Sequence, residues 1–199
     1  MADAFHKALL RAAAKGWISD SPGTPLCSDA QNRWTPRGQI ASGVAYGADE
    51  RITFADIDGD RRDDYLVVNA RTKAVRAWMN AGGDRDGRPG WVARGQIASG
   101  VLKPGDGLRF ANVDCDTRDD YVVTKYPSGA ATAWLNRGGD QDGRPGWVAR
   151  GQIASGVGIA QGQGLAFADI DGDQRDDYLI WDLRTGSVQA WINNGGDPA

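Results

Sequence analysis

The sequence predicts an all-β chain, built from three four-stranded blades of the β-propeller type and preceded by one short helix. Three observations predict it. One segment is written three times, each copy carries apolar runs of strand length, and clusters of turn residues separate those runs. Arg-Gly-Gln-Ile-Ala-Ser-Gly-Val starts at Arg37, Arg94 and Arg150, at intervals of 57 and 56 residues (94 − 37 and 150 − 94). Four short strands in a unit of that length describe a propeller blade better than a solenoid coil.

Residues 1–20 form the first unit. Asp3 is placed to cap a helix over 3–16, with Phe5, Leu9, Leu10, Ala12 and Ala13 on its apolar side. Lys15 in the last turn and Gly16 end it. Residues 21–33 are a Ser- and Pro-rich linker that contains Cys27, and residues 34–199 hold the blades.

Segment 34–44 reads as a strand with no earlier partners. In blade one, strands are expected over 52–55, 65–69 and 75–80. The turn-rich stretch 82–90 follows, and then a fourth strand, 91–97, whose closing segment runs on to 101. Blade two repeats this and closes with 147–157. Blade three supplies three strands and ends at Asp197 without a fourth. One orphan strand and one missing strand match. Three blades are too few for a ring, since propellers use about four to eight. The expectation is a homodimer that completes six blades by exchanging the segment 34–44.

The chemistry lies in a loop after the first strand of each blade. It reads Asp56-Ile-Asp58-Gly-Asp60-Arg-Arg62-Asp-Asp64, Asn112-Val-Asp114-Cys-Asp116-Thr-Arg118-Asp-Asp120 and Asp169-Ile-Asp171-Gly-Asp173-Gln-Arg175-Asp-Asp177. Acidic or amide side chains stand at loop positions 1, 3, 5 and 9. Alternating hard oxygen donors suit Ca²⁺, and such crowding is costly without a cation. Aspartate is also an ordinary turn residue, but a bare turn does not require so many carboxylates.

These residues give the chain a resemblance to the FG-GAP/VCBS repeats, the integrin-α-like calcium-binding propellers. The resemblance runs from Trp34 to about Asp197. It implies up to three Ca²⁺ per chain, and an extracellular setting. The implied ligands are Asp56, Asp58, Asp60 and Asp64 with the Arg62 carbonyl; Asn112, Asp114, Asp116 and Asp120 with the Arg118 carbonyl; and Asp169, Asp171, Asp173 and Asp177 with the Arg175 carbonyl. The family usually places glycine at loop position 6. Here Arg61, Thr117 and Gln174 stand there, which puts tight turning in question. Asn112 brings one charge fewer, so the middle site is expected to be weakest.

The N-terminal Met-Ala-Asp-Ala-Phe-His-Lys-Ala-Leu, followed by Lys-Gly-Trp-Ile, resembles the last helix of SGNH (GDSL-type) hydrolase domains. In that family the catalytic Asp-x-x-His lies just upstream of this helix, and this chain begins after it. His6 is the sole histidine and sits inside the helix. There is no Gly-Asp-Ser block, and Ser42, Ser99 and Ser155 recur only with the repeat. No second histidine is present to activate them, and no catalysis is expected.

Six of the eight tryptophans follow the repeat, at Trp34, Trp91 and Trp147 and at Trp78, Trp134 and Trp191. The simplest role for them is blade core. A sharper one is a platform for a pyranose ring, with arginine and acidic groups bonding its hydroxyls. Trp181 replaces the Val68 and Thr124 of the other blades, and Arg85, Arg88 and Arg144 edge the long loops. All four are candidates for ligand contact. The expected function is a calcium-binding module of lectin type. The alternatives are an accessory module of an SGNH esterase and a protein–protein adhesion module.

The 199 residues carry a net charge of −3 and a pI near 5.1, which offers no basic face for nucleic acid. No apolar run has membrane-spanning length, and residues 1–20 lack a signal-peptide layout. Cys27 and Cys115 read as two unpaired thiols rather than a disulfide.

Overall fold

The computed structural model describes residues 36–44, 47–101 and 106–197. They form three antiparallel sheets, each a simple meander. The first is β1 (Glu50–Ala55), β2 (Asp64–Asn69), β3 (Val75–Asn80) and β4 (Trp91–Ala98), hydrogen-bonded in that order. The second is β5 (Gly107–Ala111), β6 (Asp120–Thr124), β7 (Ala131–Asn136) and β8 (Trp147–Ala154). The third is β9 (Gln163–Ala168), β10 (Asp177–Asp182) and β11 (Val188–Trp191). In blade one the strands expected over 52–55, 65–69, 75–80 and 91–97 are present, β3 with the expected bounds and the others one or two residues longer at an end.

The residue pattern explains each sheet. β2 and β6 are apolar on both faces and buried, while β3 alternates buried Val75 and Ala77 with half-buried Arg76 and Trp78. Each sheet carries a ladder of edge-to-face rings. Phe54, Tyr65, Trp78 and Trp91 stand with centroids 5.6–5.8 Å apart, and Phe110, Tyr121, Trp134 and Trp147 repeat them at 5.7–6.0 Å. Such pairs add to area burial. Blade three has only Phe167, Tyr178 and Trp191, because it has no fourth strand among the described residues.

β4 and β8 are bulged. Register shifts leave Arg94 and Ile97 unpaired in β4, and left-handed Gly95 (φ 80°) absorbs the kink. The freed Ile97 carbonyl accepts from the next blade, taking Asp140 N at 2.7 Å and the Trp147 indole N–H. The bulge therefore serves the blade-to-blade contact.

Segment 36–44 is a correction: it contains no strand. Among the described residues it has no third strand beside it to pair with. Instead it lies against blade one, where the Ile40 carbonyl accepts Asp84 N at 2.7 Å and Trp91 Nε1 at 2.6 Å. These are the bonds that Ile97 makes to blade two. The expected helix, the linker, His6, Cys27 and Trp34 lie outside the described residues.

The same contacts relate blade two to one and three to two. Asp119 N donates to Asp56 O at 2.7 Å, and Asp176 N to Asn112 O at 2.8 Å. The Tyr121 hydroxyl donates to Lys73 O at 2.9 Å, and the Tyr178 hydroxyl to Gly129 O at 3.0 Å. One rigid operation thus generates both neighbours, as propeller blades require.

Candidate metal centres

The three acidic loops lie at one end of the sheets, between the first and second strand of each blade. Position 6 turns sharply without glycine: Arg61, Thr117 and Gln174 take φ of 69°, 76° and 73°. A left-handed non-glycine residue costs roughly 1–2 kcal/mol. Two side-chain bonds hold the turn against that cost in the outer loops. The Asp56 carboxylate accepts Gly59 N and Arg61 N, both at 2.7 Å. Asp169 accepts Gly172 N at 2.6 Å and Gln174 N at 3.0 Å. In loops one and three the position-1 aspartate therefore holds the turn that glycine would otherwise make.

Position 9 is the inner anchor. Asp64, Asp120 and Asp177 are wholly buried. Asp64 accepts Ile57 N at 3.0 Å and Asn80 N at 2.8 Å; Asp120 accepts Val113 N at 3.0 Å and Asn136 N at 2.7 Å; Asp177 accepts Ile170 N at 2.9 Å and Asn193 N at 2.8 Å. Burial pushes the Asp64 carboxyl up to about 6 and the Asp120 carboxyl to about 7. The backbone N–H groups oppose this, and neighbouring loop carboxylates add to it. A cation among these oxygens would relieve both the desolvation and the repulsion.

Loops one and three bring together positions 1, 3 and 9. Ligand oxygens of Asp56, Asp58 and Asp64, and of Asp169, Asp171 and Asp177, all lie within 4.8 Å of one another. These carboxylates fit a calcium ion. Position 5 is turned aside: Arg62 Nε donates to Asp60 at 2.9 Å, and Arg175 Nη1 reaches Asp173 at 3.2 Å.

The middle loop differs. Asn112 takes over the turn, accepting Cys115 N at 2.8 Å and Asp116 N at 3.3 Å. Cys115 occupies the left-handed place of Gly59 and Gly172, at φ 69°, and its thiol faces Asp173 O at 3.6 Å in the next loop. Arg137 reaches in from the loop between β7 and β8. Its Nη2 stands 3.0 Å from Asp114 and its Nη1 2.5 Å from Asp116.

Position 8 escaped the sequence reading. The Asp119 carboxylate crosses to blade one and accepts Asp56 N, and Asp176 crosses to accept Asn112 N, each at 2.8 Å. Its repetition as Asp63, Asp119 and Asp176 was a signal that the count of ligand positions left unexplained. Asn136 was also missed. It is wholly buried and donates to Ile57 O at 2.9 Å and Asp119 O at 3.0 Å.

The remaining candidates do not converge. Trp181 pairs with Gly164 at the end of β10 away from the acidic loop, and its ring covers the space a Gly164 side chain would need. Val68 and Thr124 face Arg51 and Gly107 instead. Arg85 and Arg88 face each other across one exposed loop, while Arg144 faces Gln141 in another. An open cleft of about 540 Å³ lies beside Tyr178, Trp191 and Ile153. Trp91 and Trp147 stand against the equivalent tyrosines, Tyr65 and Tyr121, in blades one and two.

No family model matches the chain, and no curated protein matches it. Among solved structures it is similar to an Agrocybe aegerita lectin described by its recognition of non-reducing terminal N-acetylglucosamine. The identity is 20% and the TM-score 0.49, over 76% of this chain and 37% of the lectin. It is also similar to a chain of the Photorhabdus luminescens Tc holotoxin pore, at 18% identity and TM-score 0.50, over 78% of this chain and 7% of that one. The chain therefore spans well under two thirds of either, and the second likeness concerns the fold alone.

Proposed function

We propose that the chain is a non-catalytic, calcium-binding β-propeller segment that serves as a binding module. The observation that carries this is the pair of carboxylate clusters, Asp56/Asp58/Asp64 and Asp169/Asp171/Asp177, with oxygens gathered within 4.8 Å. Calcium at about a hundred times its Kd adds roughly 2.7 kcal/mol per site. Thermal melts with Ca²⁺ and with chelator are expected to separate; coincident midpoints would refute the calcium reading. Hydrolysis of short-chain nitrophenyl esters is expected to be absent, and turnover abolished by His6→Ala would refute that.

Carbohydrate is the proposed ligand class. Its support is the repeated row of partly exposed rings, Phe54, Trp78 and Trp91 in blade one, with the Arg76 guanidinium 5.6 Å over Trp78. A pyranose offers an apolar face to such rings and hydroxyls to the charged groups beside them. A glycan array probed with calcium-loaded protein tests this, and an array without signal would overturn it.

Two copies are proposed to complete a six-bladed ring. Segment 36–44 already sits on blade one as β4 sits on blade two, and all four residues of β11 are exposed beside the open cleft. In the dimer this segment would take the fourth position beside the partner's β11. Light scattering should give twice 21.3 kDa, and the single-chain mass at micromolar concentration would refute the dimer.

A further inference from the structure

Three acidic loops suggest three cation sites, but the loops are not occupied alike by the protein's own charges. In loops one and three the arginine at position 7 draws the position-5 carboxylate away, leaving positions 1, 3 and 9 facing one another. In the middle loop Arg118, at position 7, makes no such bond to Asp116, and its Nε is buried without a hydrogen-bond partner. Arg137 enters from the neighbouring loop and pairs with positions 3 and 5 together. Its Nη1 also donates to the Asn136 carbonyl at 3.3 Å, which fixes the guanidinium over the loop.

Blades one and three carry Ala81 and Asn194 where Arg137 stands, so neither has this cation. Position 1 is the amide of Asn112, whose oxygen already accepts two backbone N–H groups. One oxygen, Asp114 Oδ1, remains buried without a partner. Calcium takes six to eight oxygens, and in the middle loop the carboxylates of positions 3 and 5 that would supply several of them already hold the Arg137 guanidinium. Like charges at contact distance also exclude one another.

We propose that the Arg137 guanidinium is the resident cation of the middle loop, so that the chain takes two Ca²⁺ ions and not three. This rests on the calcium reading of loops one and three. The middle loop then keeps its form at any calcium concentration. Calcium dependence is confined to the outer two blades.

The test is a count of bound metal. The purified chain is equilibrated with Ca²⁺, freed of excess by gel filtration, and measured by elemental analysis and by calorimetric titration. Two ions per chain are expected. Three ions would overturn the inference while leaving the calcium reading intact; none would overturn both.

Two substitutions sharpen the test. Arg137→Asn copies the residue of blade three and frees carboxylate oxygens of Asp114 and Asp116, so the count should rise to three. Ala81→Arg places the same guanidinium at loop one, where residue 81 is exposed, and the count should fall to one. Unchanged counts in folded variants would overturn the inference. The wild-type count decides the matter even where a variant fails to fold.

Discussion

Asn136 clasps two blades, and its removal gives a difference that can be worked from the structure. Its side chain makes four hydrogen bonds: to Ile57 O (2.9 Å) and Asp119 O (3.0 Å), and from Gly138 N (2.8 Å) and Gly139 N (3.0 Å). Asn80 is its equivalent in blade one and makes two, to Asp63 O (2.9 Å) and from Gly82 N (2.8 Å). A net hydrogen bond is worth about 1 kcal/mol, and a buried group left unpaired costs about 1–3 kcal/mol. Asn136→Ala is therefore expected to cost about 4 kcal/mol and Asn80→Ala about 2 kcal/mol. The first is a large fraction of a domain's whole stability, about 5–15 kcal/mol. Urea titrations followed by tryptophan fluorescence, in chelator, would measure both. Equal losses would refute the view that Asn136 stabilises the interface as well as its own turn.

Asp119 should give a pH signature. Burial pushes its carboxyl up to about 7 from 3.8, with the Asp176, Asp63 and Asp56 charges adding and the Asp56 N–H opposing. A raised carboxyl pKa means that the folded state holds the proton more tightly, so ionisation costs stability above pH 7 and the cost fades toward pH 4. Asp119→Asn keeps an acceptor for Asp56 N without the charge. It should gain about 1–3 kcal/mol at pH 8 in chelator and nothing near pH 4. A loss at pH 8 would contradict the assignment. Gly100 and Gly95 form a second contrast. Both are left-handed, but an added Cβ meets Thr72 O at 2.0 Å at Gly100 and open space at Gly95. Gly95→Ala should cost about 1 kcal/mol, and Gly100→Ala at least about 3 kcal/mol, in the same titrations.

The sheets were legible in the sequence because strand periodicity and turn chemistry are local, and three copies repeat them in step. Val75–Asn80 could be bounded from its alternation alone. The acidic loops were legible for the same reason. What the chain hides is contact between copies. Asp119 resembles its neighbour Asp120 in sequence, yet the Asp120 side chain turns into its own loop and the Asp119 side chain crosses to the preceding blade. Arg137 looks like a solvated loop residue until folding sets it 23 residues back, over Asp114. Segment 36–44 carries the letters of a strand, but a strand needs a partner edge, and the sequence does not say where that edge is.

The operation that relates one blade to the next also sets how the chain comes apart. In a single chain not yet closed by a second copy, blade two is gripped on both sides, whereas blades one and three are each gripped by a single neighbour blade. In such an array stability is a sum of unit terms and nearest-neighbour couplings, so opening begins at the ends and moves inward. Amide protons of β6 should exchange most slowly and those of β11 fastest, with the central blade persisting as a folding unit after its flanks have loosened.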